Sequence, residues 1–444
     1  MGAETCSVPA VNRDATPKPL GALERLRGWG QRLAAAVMPG LAPAPAARAA
    51  TGLLGELERL LAESRARHGG EMSARERAQT IAALYRGAGP QERAAILGLI
   101  SRAFMPAREA VDTAVAAMRE AADDIARGHA EAQLRIALDA PRARFLAQFN
   151  LLPEGVKFLV DLRVDLLAYL EREPALDVLR VELDGLLESW FDPGFLELRR
   201  ITWQSPALVL EKLIAYEAVH RIESWDDLKH RLDRDRRCYA FFHPRMPNEP
   251  LIFVEIALAK GLPGSVQQLL DPQAPIGEVR EADTAVFYSI SNAQKGLRGI
   301  SLGNLLLKRV IADLQRDLPW LKTFATLSPI PGFRRWLERA APDTARDGAP
   351  GEAQREPLLK ACVRYLVREK SGGLPVDPVA HFHLNNGASV DRIFWMADAS
   401  ERGLAQSCGM MASYRYDLDE VDRNHEEFLG SGRVAAAKRV LRLL

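Results

Sequence analysis

The chain has 444 residues, roughly three times a common domain length, which predicts two or three domains. Hydrophobic residues at 48% and charged residues at 26% are a globular balance able to build real cores. Fifty-nine Lys and Arg against 58 Asp and Glu leave a net charge of +1. This excludes the broad basic field of non-specific nucleic-acid binding, though not a local patch for phosphates. Cys6, Cys238, Cys362 and Cys408 are widely spaced. Without a CxxC pair or a metal-ligand cluster they predict neither a zinc site nor a disulfide framework, and they point to a reducing compartment. No uninterrupted apolar run approaches the ~18 residues of a membrane span.

Residues 1 to 50, rich in Ala and Pro, are expected to be a flexible arm. An Arg-bearing, Ala-rich stretch from Leu20 to Ala50 would also suit an organelle presequence, and the disordered leader is the blander reading. Position 6 holds Cys6 rather than Ser or Thr, which disfavours myristoylation. From Thr51 the texture changes. Leu53, Leu54, Leu57, Leu60 and Leu61 recur at helical spacing. Ser73-Ala-Arg-Glu76 reads as a capping box opening a second helix, and Gly87-Ala-Gly-Pro90 as a breaker with Pro90 at the next helix start. Helical patterns continue near 91–103, 107–127, 130–138, 142–149, 155–171 and 174–190. An all-helical domain is therefore expected over 51–190, with amphipathic rather than wholly apolar helices.

A boundary falls near Phe191-Asp-Pro-Gly194, and the pattern after it is mixed. Ser205-Pro206 reads as a cap and first turn leading a helix to Val219, and Ser224-Trp-Asp-Asp227 opens another. Strands are predicted at Cys238–Phe242, Leu251–Leu258, Thr284–Ser291, Thr323–Leu327 and Arg392–Met396. Helices are predicted at Ser301–Gln315, Pro331–Arg339 and Leu358–Glu369, with a Pro/Gly/charged loop over Ala341–Pro357.

Four stretches carry chemistry. In Phe287 to Val310 a β-type run passes through a turn holding Gly296, Gly299 and Gly303 into an amphipathic helix. Free amides at a helix start, beside glycines that admit close backbone approach, make an anion cradle suited to a pyrophosphate, and Arg298 would add a charged contact. An ordinary Gly-rich strand-to-helix turn is the plain alternative, since the spacing is neither a Walker loop nor GxGxxG. In Phe324-Ala-Thr-Leu-Ser-Pro-Ile-Pro-Gly-Phe333, Ser328 sits where a strand ends. Its hydroxyl either bonds local backbone or points into a cleft as a donor or proton acceptor. In Ala380-His-Phe-His-Leu-Asn-Asn-Gly387, extended backbone would place His381 and His383 on one face. A metal would need further ligands that the neighbouring sequence lacks, so one histidine acting as acid or base is more economical, and a packed histidine is the bland alternative. In Trp395 to Tyr416 a strand gives way to a helix of small residues, with Asp398 as a candidate N-cap, Met410 and Met411 as core, and Tyr414 and Tyr416 on one side if extended.

Taken together, these segments resemble the malonyl-CoA decarboxylases. The resemblance is carried by Cys238-Tyr-Ala-Phe-Phe-His-Pro with Glu249-Pro-Leu, by Tyr288-Ser-Ile-Ser with Gln294-Lys-Gly-Leu-Arg-Gly-Ile, by Leu327-Ser-Pro-Ile-Pro-Gly-Phe333, and by Phe382-His-Leu-Asn-Asn-Gly with Trp395-Met-Ala-Asp398. Ile201-Thr-Trp-Gln-Ser-Pro206 and Glu217-Ala-Val-His220 add to it. It implies a helical oligomerisation domain over 51–190, followed over 191–444 by a GNAT-like acyltransferase-fold catalytic domain. That fold holds coenzyme A in a splay between two strands. The family's pyrophosphate turn falls on Arg298, Gly299, Ile300, Ser301, Leu302, Gly303 and Asn304. Its catalytic serine falls on Ser328, its catalytic histidine on His383 and an active-site tyrosine on Tyr416. Animal-type members carry an acidic residue where this chain has Ser301, so no carboxylate role transfers there, and Ser413 stands where Asn is expected.

The implied reaction is loss of CO2 from malonyl-CoA to give acetyl-CoA through a thioester enolate. No metal or organic cofactor is implied, because the thioester is the electron sink and coenzyme A is part of the substrate. The implied partners are malonyl-CoA and further copies of the chain, as a homotetramer or homodimer, with no nucleic acid and no membrane. The last residues, Leu441-Arg-Leu-Leu444, are not a Ser-Lys-Leu address, and with the Arg/Ala-rich composition they favour a bacterial cytoplasmic enzyme. Two other readings are carried forward: a coenzyme-A-dependent acyltransferase of the same fold, and a coenzyme-A-sensing helical scaffold. A serine hydrolase is disfavoured, because no G-x-S-x-G elbow surrounds Ser328.

Overall fold

The computed structural model describes residues 50–66, 70–138, 141–300, 303–342, 344 and 349–444. The expected arm over 1–50 lies, but for Ala50, outside them, as do Cys6 and the turn residues Ser301 and Leu302. Among the described residues eight α-helices come first: α1 (Ala50–Arg65), α2 (Glu71–Gly87), α3 (Pro90–Ala103), α4 (Arg108–Glu120), α5 (Asp124–Leu138), α6 (Pro141–Ala147), α7 (Gly155–Tyr169) and α8 (Asp177–Trp190). Leu53, Leu57, Leu60 and Leu61 form the buried stripe of α1, and Leu179, Leu183 and Leu187 that of α8. Between them α7 is buried on most sides, with Val156, Phe158, Leu159, Val160, Leu162 and Leu166 in the core. Each fully buried side chain of this size contributes about 1.5–3 kcal/mol relative to exposure. Helices α4 and α5 pack on each other and bury only Ala114 and Ala130 among their own residues.

The sheet follows: β1 (Glu197–Ile201), α9 (Ala207–Tyr216), α10 (Trp225–Arg231), β2 (Arg236–Phe242), β3 (Ile252–Ala259), α11 (Val266–Leu270), β4 (Thr284–Asn292), α12 (Gly303–Asp317), β5 (Thr323–Thr326), α13 (Phe333–Ala340) and α14 (Arg355–Val367). The chain ends in a small hairpin of β6 (Lys370–Ser371) and β7 (Leu374–Pro375), then α15 (Pro378–Asn385), β8 (Ser389–Phe394), α16 (Glu401–Ser407), β9 (Met411–Arg415), α17 (Val421–Ser431) and α18 (Lys438–Leu441). The main sheet has the order β1-β2-β3-β4-β5-β9-β8. All neighbours are antiparallel except β4 and β5. One apolar cluster runs from Leu53 of α1 to Val440 of α18, so the helices and the sheet share a core.

The pairing of β4 with β5 stops after Phe287 and Thr326, with one more bond from the Leu327 amide to the Phe287 carbonyl. Beyond it β4 continues to Asn292 against β3, while Ser328 exchanges backbone bonds with Ala412 of β9. The two strands part there, opening a splay between them. A bulge sharpens it. Glu255 faces Ser289 while Ile256 faces Phe287, so Tyr288 is the extra residue. The bulge resets the alternation beyond it.

Several local expectations need correction. The segment bearing His381 and His383 is helix α15, not extended chain. Asp377 and Pro378 supply its cap and first position, a strong start signal. Ser73 lies inside α2, whose cap is Gly70. The helix after Pro206 ends at Tyr216, short of Val219, and Ser205 accepts from the Thr202 amide instead. Ser400, not Asp398, caps α16. Helix α14 begins at Arg355, inside the expected loop. Strand β1 pairs at the sheet edge, and its polar Glu-Leu-Arg-Arg-Ile sequence hides it.

Candidate active site

Ser328, His383 and Tyr416 arrive from three elements and meet. Ser328 lies two residues beyond the end of β5 and is 6% exposed. His383 sits in the last turn of α15 and is 2% exposed. Tyr416 follows β9, its amide bonded to the Phe324 carbonyl. The Ser328 Oγ lies 3.1 Å from His383 Nε2, and the Tyr416 hydroxyl lies 2.8 Å from His383 Nδ1. Ser328 Oγ also donates to Thr326 Oγ1 at 2.8 Å, and Thr326 Oγ1 accepts from the Tyr414 amide at 3.0 Å. The Tyr414 ring stacks on the imidazole with centroids 4.5 Å apart.

Burial sets the protonation states. It pushes the His383 imidazole down to about 3, with no other cause. It pushes the Tyr416 phenol well above its ordinary value. A neutral phenol beside a neutral imidazole must place its one proton, and Nδ1 is the acceptor within reach. Assigned from this network, the imidazole proton is then on Nε2, pointing at Ser328, whose own proton goes to Thr326. His381 turns away from this group and packs edge-on against Phe428, so the two histidines of the HxH pair diverge as helical spacing requires.

Helix α15 is fixed from its start. Asp377 Oδ1 accepts from the amides of Val379 and Ala380 at 3.0 and 2.9 Å. Its Oδ2 takes the Tyr365 hydroxyl at 3.3 Å and the Gly332 amide at 3.4 Å. Gly332 belongs to the Ser-Pro-Ile-Pro-Gly stretch, so one carboxylate ties the histidine helix to the serine loop. Burial raises the pKa of that carboxyl against the pull of its three amide donors.

A cavity of about 330 Å³ opens at the splay, lined by Ser328, His383, Phe287, Ile290, Asn292 and Phe382 among others. On the opposite side of β4, Ser289 and Ser291 bond the Glu217 carboxylate at 2.8 and 3.1 Å. That carboxylate also accepts from the amides of Val219 and His220, both at 2.8 Å, and Val219 lines the cavity. The two serines of the Tyr-Ser-Ile-Ser run thus support a wall of the cavity from behind, while Tyr288 and Ile290 line it. Below it, Glu255 pairs with Arg231 at 3.1 Å, and burial with the nearby Glu217 charge raises its carboxyl to about 7.

The glycine turn is described from Gln294 to Ile300 and again from Gly303. It lies at the end of β4 and enters α12. Arg298 and Gly299 are exposed, and Gly299 has φ +88°, the left-handed region glycine favours. Among the described residues no group of three or more His, Cys, Asp or Glu is placed to hold a metal ion, and no helix is long and apolar enough to cross a membrane. Cys238, Cys362 and Cys408 are free and buried.

Comparison with known proteins decides the family. The model described as the malonyl-CoA decarboxylase C-terminal domain matches residues 194–353 and 340–444, and that of the N-terminal domain matches 104–191. The chain belongs to the malonyl-CoA decarboxylase family. It is 39% identical over 348 residues to the mitochondrial malonyl-CoA decarboxylase of Anser anser anser, covering 68% of this chain and 69% of that protein. It is similar to the crystal structure of malonyl-CoA decarboxylase from Rhodopseudomonas palustris, with a TM-score of 0.80, 39% identity and coverage of 89% of this chain and 100% of that one. The corresponding structure from Agrobacterium vitis gives 0.81 and 38%, covering 87% of this chain and 99% of that one. Within this malonyl-CoA decarboxylase family member, Thr326 and Tyr414 were not assigned roles by sequence reasoning. Strand alternation, which puts Thr326 on the side of Ser328, was the available signal for the first.

Proposed function

We propose that this enzyme cleaves malonyl-CoA to acetyl-CoA and CO2, with Ser328 and His383 managing the carboxylate and the proton. The observation that carries the reading is the 3.1 Å approach of Ser328 Oγ to His383 Nε2 at the wall of the splay cavity. Breaking the bond between the α-carbon and the carboxylate leaves an electron pair on that carbon, which the thioester carbonyl takes up as an enolate. The site must loosen the solvation of the carboxylate, support the oxyanion and return a proton to carbon. Phe287, Ile290 and Phe382 supply an apolar wall against which a carboxylate loses its water. A neutral imidazole forms no ion pair with that carboxylate, so it does not stabilise the ground state. Its Nε2 proton is the one delivered to the α-carbon, while the Tyr416 phenol, 2.8 Å from Nδ1, passes its own proton to Nδ1 so that the ring stays neutral. Water then reprotonates the phenolate, and the ring returns to its Nε2–H tautomer. Ser328 orients the carboxylate or thioester oxygen.

The turn of Arg298, Gly299, Ile300, Ser301, Leu302, Gly303 and Asn304 is proposed to hold the coenzyme A pyrophosphate by backbone amides and the helix dipole. The reaction needs no metal or added cofactor, because the thioester accepts the electrons. Purified protein incubated with malonyl-CoA alone is expected to yield acetyl-CoA and CO2 in equal amounts. Thiol release that requires an amine acceptor would instead favour an acyltransferase, and no turnover at all a coenzyme-A-sensing scaffold.

We also propose that the chain works as a homodimer or homotetramer through its helical segment, in the cytoplasm, on the malonyl-CoA of fatty acid metabolism. Exposed Ile125 and Ile136 on α5, at 75% and 66%, and Met105 in the loop before α4, at 65%, support subunit contacts at this part of the helical segment. The bacterial source of the similar solved structures supports the compartment. Light scattering of the purified protein and cell fractionation test these points.

A further inference from the structure

We propose that Arg163, on helix α7, is a positioning residue for the coenzyme A turn, holding its peptide planes so that an amide faces the phosphates. The inference rests on the pyrophosphate reading of the turn given above. Arg163 is 5% exposed, and its Nη1 donates to the carbonyls of Gly296 at 2.7 Å and Arg298 at 2.9 Å. Its Nε donates to Asp184 Oδ1 of α8 at 2.6 Å, and Asp184 Oδ2 also takes Arg180 at 2.7 Å. A buried charge needs such pairing, and the planar guanidinium holds its donors in fixed relation.

The geometry has a direct consequence for the ligand side. In a trans peptide the carbonyl and the following N–H point in opposite directions. Pinning the Arg298 carbonyl to Arg163 therefore turns the Gly299 amide outward. Among the described residues that amide has no hydrogen-bond acceptor, whereas the amides of Leu297, Arg298 and Ile300 each bond the turn itself. Gly296 is required for the approach, because a Cβ there would stand 1.9 Å from the Val160 carbonyl of α7. On its other side the turn is tied by Gln294 Nε2 to the Pro250 carbonyl at 2.9 Å. The helical segment thus shapes the substrate site, in addition to any role between subunits.

The test compares malonyl-CoA with malonyl-pantetheine, which keeps the thioester and lacks the nucleotide and its phosphates. In the wild-type enzyme the ratio of kcat/KM for the two substrates reports what the phosphates contribute. Arg163→Lys is expected to cut that ratio about ten- to a hundredfold through a higher KM for malonyl-CoA, with kcat/KM for malonyl-pantetheine within about twofold of wild type. Asp184→Asn, which loosens the guanidinium without removing it, should move the ratio the same way by less. A wild-type ratio near one would overturn the pyrophosphate reading and this inference with it. A large wild-type ratio left intact in Arg163→Lys would overturn the inference alone, as would an equal fall for both substrates, the mark of a merely structural residue.

Discussion

The Ser328 hydroxyl and the His383 Nε2 stand 3.1 Å apart although 55 residues separate them in sequence. If they share one proton-handling task, each is needed for the other's use. Ser328→Ala and His383→Asn should each lower kcat by about 10²–10⁴-fold, with coenzyme A affinity within a few-fold of wild type. The double variant should be little worse than the poorer single one, because residues acting as a unit are not additive. Steady-state kinetics with a coenzyme A binding assay checks this, and additive losses would separate the two roles.

Thr326 is fully buried and takes the Ser328 proton at 2.8 Å. Thr326→Val keeps the shape and removes that acceptor, leaving the serine hydroxyl free to rotate. A fall in kcat of about tenfold or more at nearly constant KM is expected, with recovery in Thr326→Ser. Equal activity in the Val and wild-type enzymes would show that the serine needs no such anchor.

Tyr416 fixes the imidazole tautomer by donating to Nδ1 at 2.8 Å. In Tyr416→Phe the ring is free to carry its proton on either nitrogen. Nitrogen-15 spectra should show Nε2–H in the wild type and a mixture in the variant, with kcat reduced. An Nδ1–H form in the wild type would reverse the direction of the proton path.

Burial holds the His383 imidazole down at about 3, so it stays neutral across the working range. The kcat profile between pH 6 and 8 should show no ionisation assignable to His383 (roughly 6.5 for a free histidine). The folded value lies below the unfolded one, so between about 6.5 and about 3 the unfolded chain binds the extra proton, and stability falls as pH drops through that window. His220, pushed down to about 4 mainly by burial, acts in the same direction. Glu255, raised to about 7, acts in the opposite one, losing stability as pH rises from its unfolded value through about 7. Melting of His383→Asn beside wild type from pH 7 to 5 isolates the first contribution. The variant should lose less stability on acidification.

The division between what local pattern reveals and what it hides follows the reach of the interactions. Leucine spacing in α1 and the β-rich runs of β2 to β5 are set by neighbours a few residues away, and they are legible. The meeting of Ser328, His383 and Tyr416 depends on the crossover from β5 to β9, which no spacing encodes, so it came only through resemblance to a family. The error at α15 had a local remedy: Asp377-Pro378 is a helix start, and reading it would have separated His381 from His383. Strand β9 is different, since Met411-Ala-Ser-Tyr-Arg415 has no alternation of polarity, being buried on both faces until Arg415. Arg163 carries no motif at all. Its importance comes from a buried contact 133 residues away.

Asp377 joins the histidine helix to the serine loop while fully buried, with two amides on Oδ1 and a phenol and a third amide on Oδ2. Burial already raises its pKa, so the charge itself contributes less than the acceptor oxygens. Asp377→Asn keeps the Oδ1 cap, lets the new amide donate to Tyr365 and gives up only the bond to Gly332. Asp377→Ala gives up the cap as well and leaves several buried donors without a partner. A loss of about 1–3 kcal/mol is expected for Ala and less than about 1 for Asn, from urea unfolding. Because α15 positions His383, kcat should follow the same order. If Asn proves as damaging as Ala, the negative charge rather than the hydrogen-bond geometry holds the helix in place.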